Sequence, residues 1–516
     1  MNSTPSLQDL QQQALTAFRD NRLQDARSLF EQLLAADPDS ARALEGLAYV
    51  AARQDDFAQA ADWFDRAVKA GPASPDLLRD AGIASKNAGR PAAALAHFQA
   101  ALKRAPEQLA YYGEIADLQA RLGQGDQAVA LIRHALKLAP SSPALHYTHG
   151  KLLGQAGRFD EELQAYQRAL SLKPDFVDAH VNLGVALRDM RRFDEALRSF
   201  KKAIALDPEH AGARNNRAQT NLMLGNFEHG WRDYEWRWRD GGQRHDFAGK
   251  PWLGETGLAG KTLLVHSEQG LGDTLQFVRY IEPLSRAGAR VVLRVQPALL
   301  PLLKDLPGAA AVIGADAPVP EYDRHVPLLS LPLALRETAV RSVAPYLAAD
   351  PDRANRWEAT LAGRGARGKR IGLAWAGNPA HPDDANRSTA FTQWAGVLAT
   401  PHTFVSLQRD LREADRAPLD AAGQVFQAGP LLTDFAETAA LVSRLDLVIT
   451  VDTAVAHLAG ALGVSTWVLL PHTPDWRWGL DRADTPWYAS ATLRRQAARG
   501  DWAAVFEGLA RDLAAA

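Results

Sequence analysis

The stretch Thr262–Tyr280, TLLVHSEQGLGDTLQFVRY, joins a buried strand to a helix through a glycine-rich turn. The run 263–266 has the apolar character of a buried strand, and apolar residues at helical spacing predict an amphipathic helix that starts at Asp273. Gly270 and Gly272 mark the turn between them. In an open α/β sheet such a turn lies at the carboxyl end of a strand, where ligands bind. The sequence therefore places the carboxylate of Asp273 at a candidate ligand site.

Two interpretations of Asp273 are open from the residues alone. Followed by Gln276 three positions later, Asp273 fits a capping box, in which its carboxylate only satisfies free N–H groups of the helix. Alternatively, the carboxylate acts on a ligand. A dinucleotide site is not indicated, because Leu275 stands where the G-x-G-x-x-G pattern requires its third glycine.

Composition excludes several classes of function. The chain has 516 residues, room for several domains, and a net charge of −2, which does not favour binding to nucleic acid. It contains no cysteine, so disulfides, thiolate zinc sites and cysteine nucleophiles are excluded. A polar N-terminus, and an apolar run interrupted by Asp452 and His457, predict a cytoplasmic protein without membrane insertion.

The N-terminal half carries an internal repeat. Prolines recur every 34 residues, at Pro38, Pro72, Pro106, Pro140, Pro174 and Pro208. Small residues stand where two helices would cross, as at Gly82 and Ala94, and a bulky residue such as Phe98 follows. This period resembles the tetratricopeptide repeat and predicts an all-α solenoid over 6–240, with about six full repeats and a degenerate seventh. The aromatic run of the seventh unit, Trp231 to Trp238, is expected to cap the solenoid or dock it to the next domain.

Beyond a glycine-rich linker at 241–260, strands alternate with helices. Strands are expected near 262–266, 290–295, 310–313, 323–326, 370–375, 403–407, 424–427, 445–450 and 466–470. A helical connection over 345–370 separates the first four from the rest. Two such arrays in series predict two Rossmann-like domains that face a cleft, at 261–350 and 351–500, followed by a C-terminal helix at 501–516.

The second array repeats the arrangement of strand, turn and helix. After the strand 445–450, Asp452 and Thr453 lead into a helix that begins with the small residues Ala454 and Val455 and continues through His457. A diphosphate at this helix N-terminus would meet free N–H groups and the positive end of the helix dipole. A capped core helix with an internally bonded histidine is the alternative.

A long polar loop follows the first strand of the second array. It contains Asn378, Arg387 and Ser388, and the arginine offers a fork of donors that suits phosphate oxygens. The adjacent Asp383 and Asp384 do not have the spacing of metal ligands, so we expect no metal.

The turn 270–274 together with 451–463 resembles glycosyltransferase family 9, the lipopolysaccharide heptosyltransferase-like group, which has the GT-B fold. This resemblance implies a bacterial enzyme with Asp273 as catalytic base and with a nucleoside diphosphate held by 452–455 and His457. Arg387 is the candidate for the cation that steadies the diphosphate. It also implies a last helix that crosses back to the first domain. The co-substrate would be a nucleoside-diphosphate sugar, and no other cofactor is expected.

The repeats resemble those of tetratricopeptide-type protein glycosyltransferases, in which asparagines reach the backbone of an extended acceptor. Asn182 and Asn216 occupy the corresponding positions here, and ordinary polar groove residues are the alternative. The resulting expectation is a metal-independent inverting transferase for protein glycosylation, whose repeats recruit a protein or peptide acceptor. A non-catalytic scaffold, a transferase for a glycolipid core, and a homo-oligomer formed through the repeats remain open.

Overall fold

The computed structural model describes residues 6–240, 247–255, 257–340, 342, 345–364 and 367–515. By its internal contacts the chain divides into two compact units, Met1–Met190 and Arg191–Ala516. This division falls before residue 240, where the repeat pattern ends, because the last repeat helices contact the α/β part of their own unit. The domain limits drawn from the sequence, 6–240, 241–260, 261–350, 351–500 and 501–516, stay predictions. Within the expected linker, residues 241–246 and 256 lie outside the described residues.

The first unit consists of helices that pack in antiparallel pairs, as the 34-residue period predicts. The helices are α1 (Leu7–Arg19), α2 (Leu23–Ala36), α3 (Ala41–Arg53), α4 (Phe57–Ala70), α5 (Pro75–Asn87), α6 (Pro91–Arg104), α7 (Leu109–Arg121), α8 (Gly125–Leu138), α9 (Pro143–Gln155), α10 (Phe159–Leu172) and α11 (Val177–Asp189). The expected all-α repeat architecture is confirmed.

Small residues explain how closely the paired helices approach. A Cβ atom built on Gly82 would lie 2.8 Å from the ring of Phe98, so the ring occupies the space that a side chain would need. The turn inside each pair uses one residue of left-handed backbone, and these residues also recur every 34 positions: Asn21, Asp55, Gly89, Gly123 and Gly157. Glycine and asparagine tolerate positive φ best, which makes the turn itself readable from sequence.

The second unit begins with three more helices, α12 (Phe193–Leu206), α13 (Ala211–Met223) and α14 (Phe227–Tyr234), and a 3₁₀ turn at Glu235–Trp238. Two parallel sheets follow. The first has the strand order β3-β2-β1-β4 and the second the order β10-β9-β8-β5-β6-β7. The strands are β1 (Thr262–His266), β2 (Arg290–Val295), β3 (Ala309–Gly314), β4 (Arg324–Pro327), β5 (Arg370–Ala374), β6 (Thr403–Ser406), β7 (Val425–Gln427), β8 (Leu447–Val451), β9 (Thr466–Leu470) and β10 (Ala491–Arg495).

Helices connect these strands, and a last helix follows β10. They are α15 (Leu271–Phe277), α16 (Ile281–Arg286), α17 (Leu300–Leu303), α18 (Leu331–Ala334), α19 (Pro351–Ala362), α20 (Asp384–Arg387), α21 (Ala395–Leu398), α22 (Glu413–Ala421), α23 (Phe435–Val442), α24 (Ala454–Leu462) and α25 (Trp502–Ala514). All strand pairings are parallel, which confirms the expected α/β part, an architecture consistent with a glycosyltransferase module.

One strand was not foreseen, and the expected position of the last helix was wrong. Strand β10 was not foreseen, because its segment ATLRR ends in two arginines and lacks the run of apolar residues that marks a buried strand. The last helix, α25, does not cross back to the first sheet. Its apolar face is buried in the core of the second sheet, where Phe506 lies 5.2 Å from Trp394 in an edge-to-face arrangement.

The aromatic run at the end of the repeats docks onto the α/β part, as predicted. Trp231 meets Trp476 edge to face at 5.3 Å between ring centroids, and Tyr234 lies 5.9 Å from the same ring. Next to them, the buried Arg237 forms two hydrogen bonds of 2.7 and 2.8 Å with Glu268, just after β1. The end of the repeats therefore packs against the residues next to the Gly270 turn.

Candidate active site

The glycine-rich turn after β1 and the turn after β8 lie at the carboxyl ends of their strands, and the helices that follow them are in direct contact. A Cβ on Gly272 of α15 would lie 2.8 Å from Cδ2 of His457 and 3.4 Å from Cα of Ala454, both in α24. The absence of a side chain at residue 272 therefore allows the two helix N-termini to meet. The sequence predicted two domains that face a cleft, and the structure brings the N-terminal ends of α15 and α24 into contact.

Asp273 is the third residue of α15, not its first. Helix α15 begins at Leu271 with Gly270 as its N-cap, and the Asp273 carboxylate accepts the Gly270 N–H at 2.8 Å through Oδ2. The capping interpretation is thus correct in that Asp273 caps the start of the helix. It is wrong in its partner, because Gln276 takes no part in the cap. The other carboxylate oxygen of Asp273 accepts a hydrogen bond from Arg477.

Arg477 belongs to the loop after β9, and its buried side chain reaches the turn of the first sheet. Its Nη1 donates to Asp475 at 2.9 Å and its Nε donates to Gln276 at 2.8 Å. Burial lowers the pKa of Arg477, but the carboxylates of Asp475 and Asp273 outweigh burial and raise it above its ordinary value. The guanidinium is a fixed positive charge in contact with the predicted base.

Asp452 follows β8 and is also buried. Burial and the nearby carboxylate of Asp475 raise its pKa to about 6, while Arg387 acts in the opposite direction. A carboxyl with this pKa changes its charge close to neutral pH. When protonated, it can donate a hydrogen bond to an oxyanion.

His457, one turn into α24, is a buried neutral histidine. Its Nδ1 lies 2.9 Å from the hydroxyl of Tyr488, and its ring stacks on Trp478 at 5.3 Å with an interplanar angle of 20°. Burial, together with Arg477 and two other arginines, holds its pKa well below the ordinary value. The histidine therefore shapes the contact between α15 and α24 as an uncharged group.

The first turn of α24 is capped by its own threonine. The hydroxyl of Thr453 accepts the N–H of Val455 at 3.3 Å and lies 3.1 Å from the hydroxyl of Thr450. Thr453, Ala454 and Val455 are all half-buried, so this helix end keeps access to a ligand.

In the loop after β5, the side chains of Ser388 and Asn378 form hydrogen bonds that fix the conformation of the backbone. Ser388 Oγ accepts the N–H of Gly377 at 2.9 Å and donates to the buried carboxylate of Asp384 at 2.7 Å. The side chain of Asn378 accepts the N–H of Ala380 at 3.0 Å in a local turn. Both residues shape the loop that carries Arg387.

Arg387 lies across Gly377, since a Cβ there would be 2.9 Å from its Nη2. Its Nε is buried and, among the residues that the structure describes, has no hydrogen-bond partner. The guanidinium also acts on the pKa values of Asp452 and His457. Arg387 is therefore a cation with unused donor capacity beside the second turn.

Three further residues belong to this cluster: Asp475, Arg477 and His381. The tryptophans of the segment 474–478, Trp476 and Trp478, are buried in the core. The two charged residues next to these tryptophans, Asp475 and Arg477, were the available signal in the sequence. His381 lies in the same loop as Arg387, and its pKa is lowered by burial and by Arg387, against the carboxylates of Asp475, Asp384 and Asp273.

Two other titratable residues, Glu268 and His266, lie at the carboxyl end of β1. Glu268 is occupied by Arg237 and by the N–H of Leu329 at 3.0 Å, so its carboxylate serves the docking of the repeat end. His266 is buried, with its Nε2 3.3 Å from Nδ1 of His325. Asp273 is the better placed of these groups, because its side chain remains 17% exposed.

The two groove asparagines have internal partners. Asn182 donates to the hydroxyl of Tyr147 at 3.0 Å, and Asn216 donates to the carbonyl of Gly212 at 2.9 Å. Asn182 and Asn216 belong to different compact units, so their role in binding the backbone of an extended acceptor stays a prediction.

The described residues contain neither a cluster of metal ligands nor a membrane-spanning helix. Over 6–240, 247–255, 257–340, 342, 345–364 and 367–515, no group of three or more histidine, aspartate or glutamate residues could hold a metal ion. Among the helices described there, none is long and apolar enough to cross a membrane.

Models of the tetratricopeptide repeat match residues 12–75, 87–152, 150–190 and 177–210. The model of glycosyltransferase family 9 (heptosyltransferase) matches residues 422–500, which include Asp452, His457, Asp475 and Arg477. Asp273 lies outside the matched segment.

A curated relative, Protein FlbA of Caulobacter vibrioides, is 29% identical over 302 residues, covering 53% of this chain and 50% of the relative. The chain thus spans about half the length of this relative.

Two solved structures are similar to parts of the chain. The C-terminal part of a tetratricopeptide repeat-containing protein from Cytophaga hutchinsonii is 16% identical, with a TM-score of 0.37, over 43% of this chain and 93% of that one. A thermophilic tetratricopeptide protein from Thermus thermophilus is 23% identical, with a TM-score of 0.31, over 36% of this chain and all of that one. From the family matches and the architecture of its two units together, the chain is a tetratricopeptide repeat protein with a glycosyltransferase family 9 (heptosyltransferase) domain in its C-terminal part.

Proposed function

We propose that this glycosyltransferase is inverting and metal-independent and moves a sugar from a nucleoside-diphosphate sugar to a hydroxyl or amide of a protein bound by the repeats. The observation that supports this most is the contact between α15 and α24, seen at Gly272 and His457. This contact brings the carboxylate of Asp273, which follows β1 of the first sheet, next to the N-terminus of α24 at Thr453, which follows β8 of the second sheet.

The donor would bind at the second turn. Its diphosphate would accept hydrogen bonds from the N–H groups at the start of α24, where the helix dipole favours negative charge. Arg387 supports this assignment, because its buried Nε has unused donor capacity and its charge would oppose that of the diphosphate. Asp452 has a pKa of about 6. In its protonated form it would donate a hydrogen bond to a phosphate oxygen, whereas the ionised carboxylate would repel the phosphate.

Asp273 would act as general base. Its carboxylate would accept the proton of the acceptor as the acceptor atom attacks the anomeric carbon, a role that contributes about 10²–10⁴ in rate. The leaving diphosphate would take up the negative charge that develops, and α24 and Arg387 would stabilise it.

The acceptor would be a polypeptide held by the repeats. Helices α5, α7 and α9 line a groove of about 490 Å³ in the first unit. Its walls carry ion pairs between Lys86 and Glu114 at 2.6 Å and between Lys151 and Asp117 at 3.8 Å. Stacked repeats generally use such a concave surface to bind another protein segment.

The test combines binding with turnover. Thermal shift with UDP, GDP, CDP, ADP and dTDP identifies the nucleotide, because a ligand that binds the folded state raises Tm. Hydrolysis of the matching sugar nucleotides, followed by labelling of bacterial lysate protein, identifies sugar and acceptor. Asp273→Asn is expected to keep the nucleotide shift and to lose about 10²–10⁴ in transfer, whereas Arg387→Gln loses the shift.

The exposed pair Arg482 and Asp484 offers matched controls, since Arg482→Gln and Asp484→Asn make the same changes of charge on the surface. Both are expected to leave the shift and the turnover unchanged. Full turnover in Asp273→Asn would show that another group is the base. No shift with any of the five nucleotides would favour a non-catalytic scaffold.

A further inference from the structure

Arg477 uses all three of its guanidinium nitrogens on residues around the predicted base. Nη2 donates to Asp273, Nη1 to Asp475 at 2.9 Å, and Nε to Gln276 at 2.8 Å. Asp273 and Gln276 belong to α15, whereas Arg477 belongs to the 3₁₀ turn Trp476–Trp478 that follows β9. The arginine thus ties the helix of the first sheet to a loop of the second.

Arg477 is itself held in one position. Its side chain is only 7% exposed, and its guanidinium lies 4.2 Å from the ring centroid of Trp476. That ring is packed in turn against Trp231 and Trp487, at 5.3 and 6.1 Å. A side chain enclosed in this way has already lost its rotamer freedom on folding, so it can fix a partner without a further entropy cost during turnover.

The carboxylate of Asp273 is therefore held at both oxygens. Oδ2 accepts the Gly270 N–H and Oδ1 accepts from Arg477. A carboxylate has about four lone-pair sites, so each oxygen keeps capacity for one more hydrogen bond. The side chain is 17% exposed, which leaves the carboxylate reachable from solvent. These contacts restrict the orientation of the carboxylate without using up its ability to accept a proton.

We propose that Arg477 is a positioning residue that acts through Asp273, by holding the carboxylate in the orientation in which it accepts the acceptor's proton. This inference rests on the proposed function. A positive charge beside a base opposes proton uptake, so the benefit of Arg477 is geometric. Misplacement of a reacting group by about 1 Å can reduce the rate about 10²-fold, which sets the size of the expected effect.

The test is a double-mutant cycle on kcat with Asp273→Asn and Arg477→Gln in the full chain. Arg477→Gln alone is expected to lower kcat about 10²-fold while KM for the sugar nucleotide changes by less than about threefold. In the Asp273→Asn background the same replacement is expected to add almost nothing, because the carboxylate that it orients is gone. Arg477→Lys is expected to recover part of kcat, since the ammonium can still reach Oδ1.

Each outcome decides one point. If the two losses multiply, Arg477 acts independently of Asp273 and the inference is overturned, while the base assignment stands. If Asp273→Asn alone has full kcat, the base assignment in the proposed function fails instead. A parallel fall in Tm, nucleotide shift and kcat, with no recovery in Arg477→Lys, would mean that Arg477 only supports the fold. If Arg477→Gln does not fold, the cycle is run with Arg477→Lys, and multiplying losses overturn the inference there too.

Discussion

Gly272 and His457 are in contact across the two sheets, so that a methyl group on Gly272 would come within 2.8 Å of the imidazole. The imidazole of His457 cannot move aside easily, because it is stacked on Trp478 and hydrogen-bonded to Tyr488. This contact fixes how the turn with Asp273 meets the turn with Thr453.

Replacing Gly272 by alanine is expected to destabilise the protein by about 1–3 kcal/mol, the usual effect of overpacking a filled site. This loss outweighs the gain of up to about 1 kcal/mol that alanine brings to a helix. The measurement is Tm by calorimetry, together with the nucleotide-induced shift, which should also shrink.

Gly113 in α7 provides the matched control. A Cβ there would meet no atom within 4 Å, so Gly113→Ala should be neutral or should raise Tm slightly. Equal Tm values for the two alanine variants would contradict a rigid contact at Gly272.

The raised pKa of Asp452 predicts a dependence of stability on pH. Its pKa is about 6 in the folded protein against an ordinary value of 3.8, so the folded state binds more protons between these pH values and loses stability as pH rises through 6. Asp452→Asn removes this loss. We expect the stability of the variant relative to the parent to rise by about 3 kcal/mol between pH 3 and pH 8. Tm measured against pH tests this, and a pH-independent difference would contradict it.

The same carboxyl predicts proton uptake on donor binding. A diphosphate beside Asp452 favours the protonated form, so nucleoside diphosphate affinity should fall as pH rises through about 6. Titration calorimetry in buffers of different ionisation enthalpy measures the proton uptake. Because phosphate groups also titrate near pH 6, Asp452→Asn serves as the control, and an unchanged proton uptake in that variant would exclude Asp452 as its source.

The pair Arg237–Glu268 predicts that the α/β part needs the end of the repeats for its stability. Both side chains are at most 5% exposed, so Arg237→Met leaves a buried carboxylate without its partner and should cost about 3–5 kcal/mol. Adding Glu268→Met should restore part of this loss, because the unpaired charge is removed. Chemical unfolding of the single and double variants tests the pair.

Arg239, two residues later, forms an exposed pair with Glu209 at 2.6 Å, so Arg239→Met is a matched control with an expected loss below about 1 kcal/mol. Equal losses for Arg237→Met and Arg239→Met would contradict the structural role of the buried pair. The same reasoning predicts that a fragment 191–516 folds better than 241–516, which lacks Arg237.

The sequence by itself determined the repeat period, most strand positions and the two turns that form the candidate site. These features depend on local periodicity: a proline or a left-handed residue every 34 positions, and apolar runs that end in glycine, aspartate or threonine. Such patterns are set by the backbone geometry of each element and need no partner. Even here β10 was missed, because its arginines hide the strand pattern.

The tertiary structure alone decided what the charged residues do. Asp273 and Arg477 are 204 residues apart in the chain, and no spacing rule connects them. Packing decides which groups share a low-dielectric interior. As a result His457 is neutral, Ser388 and Glu268 have structural hydrogen bonds, and α25 lies on the second sheet. Burial and long-range pairing arise only when the elements pack together, and for that reason the sequence could place the turns but not assign the interactions between them.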